Sequence, residues 1–207
     1  MRKRYKGLSY GMPLALSEEH IAAVLLGTKR HTVRCFSDKE RKAMAGDLDG
    51  LPAFFATKNK LSKISPPYGE VGDYLWVRES YKVQNDSVVY RMMEDPDKKT
   101  PNEEWMPVVG MPEEASRLCL LITGYRYLNG IQEISVADVE RDGFKSDFPP
   151  GKRYDADIRN TFARYWNTRY RASKDKWEAN PPAWIAEFVP LSAEESAALK
   201  KAKDYLR

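Results

Sequence analysis

Gly27-Thr28-Lys29-Arg30-His31-Thr32-Val33-Arg34 is the stretch on which the reading of this chain turns. Immediately before it, Ser17 to Leu26 reads as a short helix, with Ser17 as N-cap and Glu18 and Glu19 in the first turn, where the helix dipole favours acids. Gly27 ends that helix, since glycine takes the left-handed conformation that closes one. The β-branched Thr32 and Val33 then favour extended chain. Lys29 to Arg34 therefore span a helix-to-strand turn. In extended backbone Thr32 and Arg34 share a face and Val33 points the other way. Lys29, Thr32 and Arg34 thus combine two cations and a hydroxyl, a set suited to holding an anion or activating an oxygen. The spacing is equally compatible with surface cations that compensate the exposed carbonyls of a helix C-terminus.

The 207 residues, 42% of them hydrophobic, are enough to bury one substantial core. No apolar run approaches membrane-spanning length. The basic start, Met1-Arg2-Lys3-Arg4-Tyr5-Lys6, is not followed by the apolar stretch of a secretory signal. Cys35 and Cys119 are the only cysteines, too few for a disulfide scaffold and suited to a reducing compartment, so a cytoplasmic location is expected. The formal net charge is +4, and residues 1 to 34 alone hold seven Lys/Arg against two Glu. The positive excess therefore gathers around the opening stretch, which favours an anionic partner such as nucleic acid, or is simply a solvated basic tail.

Along the chain, Gly7 to Leu16 reads as an irregular first strand and 36–67 as an excursion of unassigned role around the apolar Leu51 to Ala56. Tyr74 to Val83 reads as a strand, with Asn85-Asp86 turning into a second one, Ser87 to Arg91. Residues 92–116 form a long acidic loop, with seven acids against Lys98 and Lys99. Ser116 to Tyr125 is a buried-strand pattern. Ser135 caps a helix over Val136 to Asp142 that stops at Gly143. Asp155 to Arg171 carries apolar residues at helical spacing, Ala183 to Val189 is a last strand, and Ser192 caps a closing helix to about 206. Short strands with helices between them predict an α+β fold, a small mixed barrel rather than a doubly wound sheet. One domain spans 1–207, with its core over about 12–189.

Four segments in order resemble the ASCH domain family, most nearly its longer phage- and prophage-type members. They are Gly27-Thr28-Lys29 with Thr32 and Arg34; Gly72-Asp73-Tyr74-Leu75-Trp76-Val77-Arg78-Glu79; Ala115-Ser116-Arg117-Leu118; and Trp177 to Phe188. The resemblance implies a PUA-like β-barrel with a cleft lined by the Gly-x-Lys-x-x-Thr-x-Arg turn. Relatives of that fold bind RNA or modified nucleobases, so the implied partner is RNA, single-stranded nucleic acid or a modified nucleoside. It places Gly27, Arg30, His31 and Arg34, with Trp76, Arg78 and Glu79, at the ligand. Some small bacterial ASCH proteins deacetylate acetylcytidine with a lysine, a threonine and a glutamate. Their lysine and threonine fall on Lys29 and Thr32, and their glutamate on Asp142, one methylene shorter, with Glu140 as the fallback.

For amide hydrolysis, Thr32 would be the nucleophile, Lys29 its base if burial depresses the amine, and Asp142 the residue orienting the lysine. Arg34 would hold a phosphate or the oxyanion. A solvated Lys29 stays protonated and the same residues then only bind anions. Trp76 or Trp184 would stack on a base, or pack in the core as strand tryptophans do. His31 is a ligand contact or an ordinary turn histidine. No cofactor is expected, and His20 and His31 lack the paired spacing of a metal site. A protein-interaction module with no catalysis is the remaining reading.

Overall fold

A computed structural model describes residues 11–45, 66–94 and 104–204. The basic Met1 to Lys6, the apolar Leu51 to Ala56 and the centre of the acidic loop lie outside the described residues. The element order is β1 (Gly11–Ala15), α1 (Glu18–Leu25), β2 (His31–Cys35), α2 (Asp38–Ala45), β3 (Tyr74–Arg78), β4 (Tyr81–Gln84), β5 (Ser87–Tyr90), β6 (Cys119–Leu128), α3 (Val136–Arg141), α4 (Lys152–Arg169), β7 (Ala183–Pro190) and α5 (Ala193–Asp204). The α+β class stands. β1, β3, β6, β7 and β2 form one five-stranded sheet in that order, with β1 and β3 parallel and the remaining pairs antiparallel. Among the described residues β1 and β2 remain separate edges, so the expected closed barrel is not formed by these strands.

Strand alternation sorts the side chains onto two faces. On one, Ile21 and Val24 of α1 pack with Leu14, Leu75, Val77, Leu120, Ile122, Ala186 and Phe188. On the other, Val33, Ala183 and Ile185 meet Val139 of α3 and Ile158, Phe162 and Trp166 of α4. Further along that second face, Tyr74, Trp76 and Cys119 are covered by Leu191 and by Leu199 of α5. A bulge between Ile122 and Gly124 keeps Ile122 and Tyr125 on the α1 side while the long β6 passes from β3 to β7.

The expected single strand over Tyr74 to Val83 is two strands. β3 stops at Arg78, because Glu79 turns inward to a two-pronged ion pair with Arg117, at 2.8 and 2.9 Å. β4 then leaves the main sheet and pairs only with β5. Asn85 and Asp86, at φ 50° and 59°, make the tight hairpin turn that their side chains favour. Asp38 to Ala45, inside the unassigned excursion, is helical. No helix among the described residues is long and apolar enough to cross a membrane.

Candidate functional site

The turn after α1 is built as its residue types require. Ser17 Oγ accepts the His20 amide as N-cap, and Gly27 sits at φ +73°. The amides of Thr28 and Lys29 both reach back to the Ala23 carbonyl at 2.9 Å. The Arg30 amide then donates to the Arg141 carbonyl at 2.8 Å, and the Arg30 carbonyl accepts from the Phe188 amide at 2.9 Å. The turn is thereby clamped between the end of α3 and β7.

This clamp buries Lys29, which is 1% exposed, against Asp142, which is 3% exposed. Lys29 Nζ donates to the Asp142 backbone carbonyl at 2.8 Å and to its carboxylate, across 113 positions of sequence. Asp142 is the residue that closes α3, so its carboxylate is held by the helix end. Glu140 is exposed and accepts from the Tyr154 hydroxyl at 2.5 Å, away from the lysine. Desolvation pushes the Lys29 amine below its usual value, an effect that Asp142 partly offsets. The same desolvation pushes the Asp142 carboxyl up, with Lys29 opposing it. Desolvation thus acts against the ionised form of both partners, and each partner's charge acts for it.

Gly143 lets the helices approach this closely. It lies at φ +97°, and a Cβ there would come 3.0 Å from the Ala23 Cβ and 3.5 Å from the Lys29 Cβ. Gly143→Ala is expected to cost about 1–3 kcal/mol through backbone strain and that contact. The urea midpoint should fall accordingly.

Thr32 is 3% exposed and pairs in β2 with Ala186, which places it on the α1 face. Arg34 lies on that same face, but its guanidinium is bound to Glu40 of α2. Glu40 also accepts from the Trp184 indole at 3.2 Å and from the Ser37 amide at 2.7 Å. Arg34 is thus committed to a carboxylate already present. The ring of Trp184 is stacked on Phe36, 4.9 Å between centroids, so it is packed between side chains. The Arg30 side chain is exposed and folds back over Gly27.

Trp76, Arg78 and Glu79 are elsewhere. β6 and β7 separate β3 from β2 in the sheet, and Trp76 lies on the face opposite Thr32, beneath α5. Arg78 is stacked on the Trp76 ring at 4.7 Å. Glu79 is neutralised by Arg117, which also lies over the Tyr90 ring at 4.5 Å. These three residues therefore do not join Lys29 and Thr32. Residues to which sequence reasoning gave no site role approach α1 and β2: Tyr165, edge-on to His20 at 5.1 Å, Arg169, bonded to Tyr165, and Tyr170, at the β2 edge. All three sit on the final turns of α4 or just beyond, where the amphipathic pattern identifies a helix but not what its end faces. The Tyr170 hydroxyl accepts the Cys35 amide of the β2 edge at 3.1 Å.

His31 is buried on the other face of β2, its Nε2 without a hydrogen-bond partner among the described residues. Burial, with the Lys29 charge as a second cause, lowers His31 to about 4 and His20 to about 3. Both rings stay neutral in the folded protein while an unfolded histidine takes up a proton near pH 6.5. Their contribution to stability is complete above pH 6.5 and is lost as pH falls towards 4 and then 3. For His31 alone the shift corresponds to about 3 kcal/mol. Denaturant melts should therefore show stability falling between pH 7 and pH 4, less steeply in His31→Gln.

Among the described residues no group of three or more His, Cys, Asp or Glu side chains is placed to hold a metal. Compared with protein-family models, with curated proteins and with solved structures, the chain matches none.

Proposed function

We propose that this chain is an ASCH-type protein that binds RNA or a modified nucleoside at the turn from Gly27 to Arg34, in a PUA-like arrangement of strands, and acts hydrolytically on an acylated base. The observation that carries this reading is the buried pair of Lys29 and Asp142, with the buried Thr32 three residues further along the chain. Buried ion pairs are a poor source of stability compared with apolar residues of the same size, so one kept at the edge of a sheet invites a functional account. Lys29 is the lysine the resemblance implies, and Asp142, one methylene shorter than the implied glutamate, is the acid nearest that position.

The chemistry would run as acyl transfer. Thr32 Oγ1 attacks the amide carbonyl of an acetylated cytosine and its proton passes to Lys29 Nζ, whose amine burial pushes below its usual value. The C–N bond breaks, and the leaving amine takes the proton from Lys29. Water then cleaves the acetyl ester on Thr32. Asp142 orients the amine throughout and shares its charge. Without a neutral Lys29 the same site would hold its ligand and not turn it over.

A screen of modified nucleosides for binding and turnover, run beside Lys29→Ala, tests the reading. Binding or deacetylation of acetylcytidine that is lost in the variant supports it. A wild-type protein that neither binds nor hydrolyses any nucleoside or oligonucleotide overturns it. Oligonucleotide affinity is further expected to fall steeply as salt rises from about 50 to 200 mM, as phosphate contacts require.

A further inference from the structure

Most ions around the turn are matched. Arg34 has Glu40, Arg41 has Asp175, Arg126 has Asp138 and Glu187, and Lys29 has Asp142. Arg169, at the end of α4, is different. Its guanidinium donates to the Tyr165 hydroxyl at 3.2 Å and lies 6.0 Å from the Tyr170 ring, and no carboxylate of the described residues comes within 4.0 Å. The Tyr165 ring stands edge-on to His20 at 5.1 Å. His20 in turn adjoins Gly143, the residue next to Asp142, which touches Lys29. Arg169 is therefore a short chain of contacts from the buried pair, and its charge reaches Lys29, Asp142, His20 and Tyr68. Lys29 is buried and paired with Asp142, whereas Arg169 is exposed and carries its charge unpaired by any described carboxylate.

We infer that Arg169 is the phosphate-binding residue of this site, so that the ligand is a phosphorylated nucleoside, either a free mononucleotide or a unit of an RNA strand. The inference rests on the nucleoside-binding reading above. A guanidinium without a carboxylate offers its fork of donors to a phosphate in the two-pronged geometry that lysine cannot match. The Tyr165 hydroxyl accepts from Arg169 and keeps its own proton to donate to the same phosphate. Burial of the base end then neutralises little of the site's positive excess, whereas a phosphate on Arg169 does.

Calorimetric titration of the full chain tests this with acetylcytidine, its 5′-monophosphate, and a trinucleotide carrying the same base at its centre. The phosphorylated probes should bind about tenfold or more tightly than the nucleoside. In Arg169→Ala that ratio should collapse towards one, and in Arg169→Lys it should be partly retained, with thermal melts confirming that both variants fold. A gain for the monophosphate alone identifies a free nucleotide, and a gain for the trinucleotide identifies RNA. Equal affinity of wild type for nucleoside and nucleotide overturns the inference while leaving nucleoside binding intact, as does a ratio that survives in Arg169→Ala. Failure of every probe to bind overturns both readings together.

Discussion

Thr32→Ala is expected to reduce deacetylation of acetylcytidine by about a thousandfold or more, since it removes the proposed nucleophile while leaving the proposed binding groups in place. The side chain lost is small, and Thr32 is 3% exposed in an edge strand whose hydrogen bonds are made by backbone. The variant should therefore fold, with a melting temperature within a few degrees of wild type. Binding of the substrate should persist, because Lys29 and Arg169 remain. Thr32→Ser is the informative partner, as it restores an oxygen without the methyl group and should recover a measurable part of the rate. A Thr32→Ala protein with undiminished turnover would dismiss the acyl-transfer scheme and leave only binding. The rate should also depend on pH through Lys29, rising as its depressed amine loses the proton, so the acid limb should sit below the value of an exposed lysine.

The second large effect concerns stability. Lys29→Met removes one member of a buried pair and leaves the Asp142 carboxylate buried without the amine. Leaving a buried charge uncompensated costs about 3–5 kcal/mol, a large share of the margin of a chain this size. Part of that cost is avoided by protonating Asp142, so the loss should shrink as pH falls towards the raised carboxyl value. The double variant Lys29→Met, Asp142→Leu replaces both charges with apolar groups of similar length and should recover most of the stability. Urea midpoints of the single and double variants, measured at pH 7 and pH 5, separate these terms. A single variant as stable as wild type would mean that the pair is solvated in solution.

The turn itself was legible because each of its residues has a local reason to be there. Ser17, Glu18, Glu19 and Gly27 specify a short helix with defined ends, and Thr32 and Val33 specify the extended chain after it. Gly143 and Ser135 mark the ends of α3 in the same way, and Asp142 closes that helix. Facing and partnership were not legible. The period of a strand assigns Trp76 and Leu75 to opposite faces but does not say which face carries Thr32, and Trp76 proves to lie with Tyr74 under α5. Arg34 and Glu79 look like available charges in sequence because Glu40 and Arg117 become their partners only through the tertiary structure. Glu40 was the harder to foresee, since Asp38 to Ala45 is a polar segment whose helix has no apolar stripe to announce it. Arg169 was hidden for a related reason: a cation in the last turn of a helix is ordinarily explained by the dipole alone.

The order of strands in the sheet has a consequence for how the chain must assemble. β1 and β2, neighbours in sequence and joined by α1, find their partners at residues 74–78 and 183–187, so the β1 rim can pair once β3 is made and the β2 rim only near the end of synthesis. Until β7 has left the ribosome, β2 waits with unpaired backbone groups and the α1 cluster lacks Ala186 and Phe188. Such long-range pairing predicts slow folding, with the turn from Gly27 to Arg34 among the last parts to become ordered.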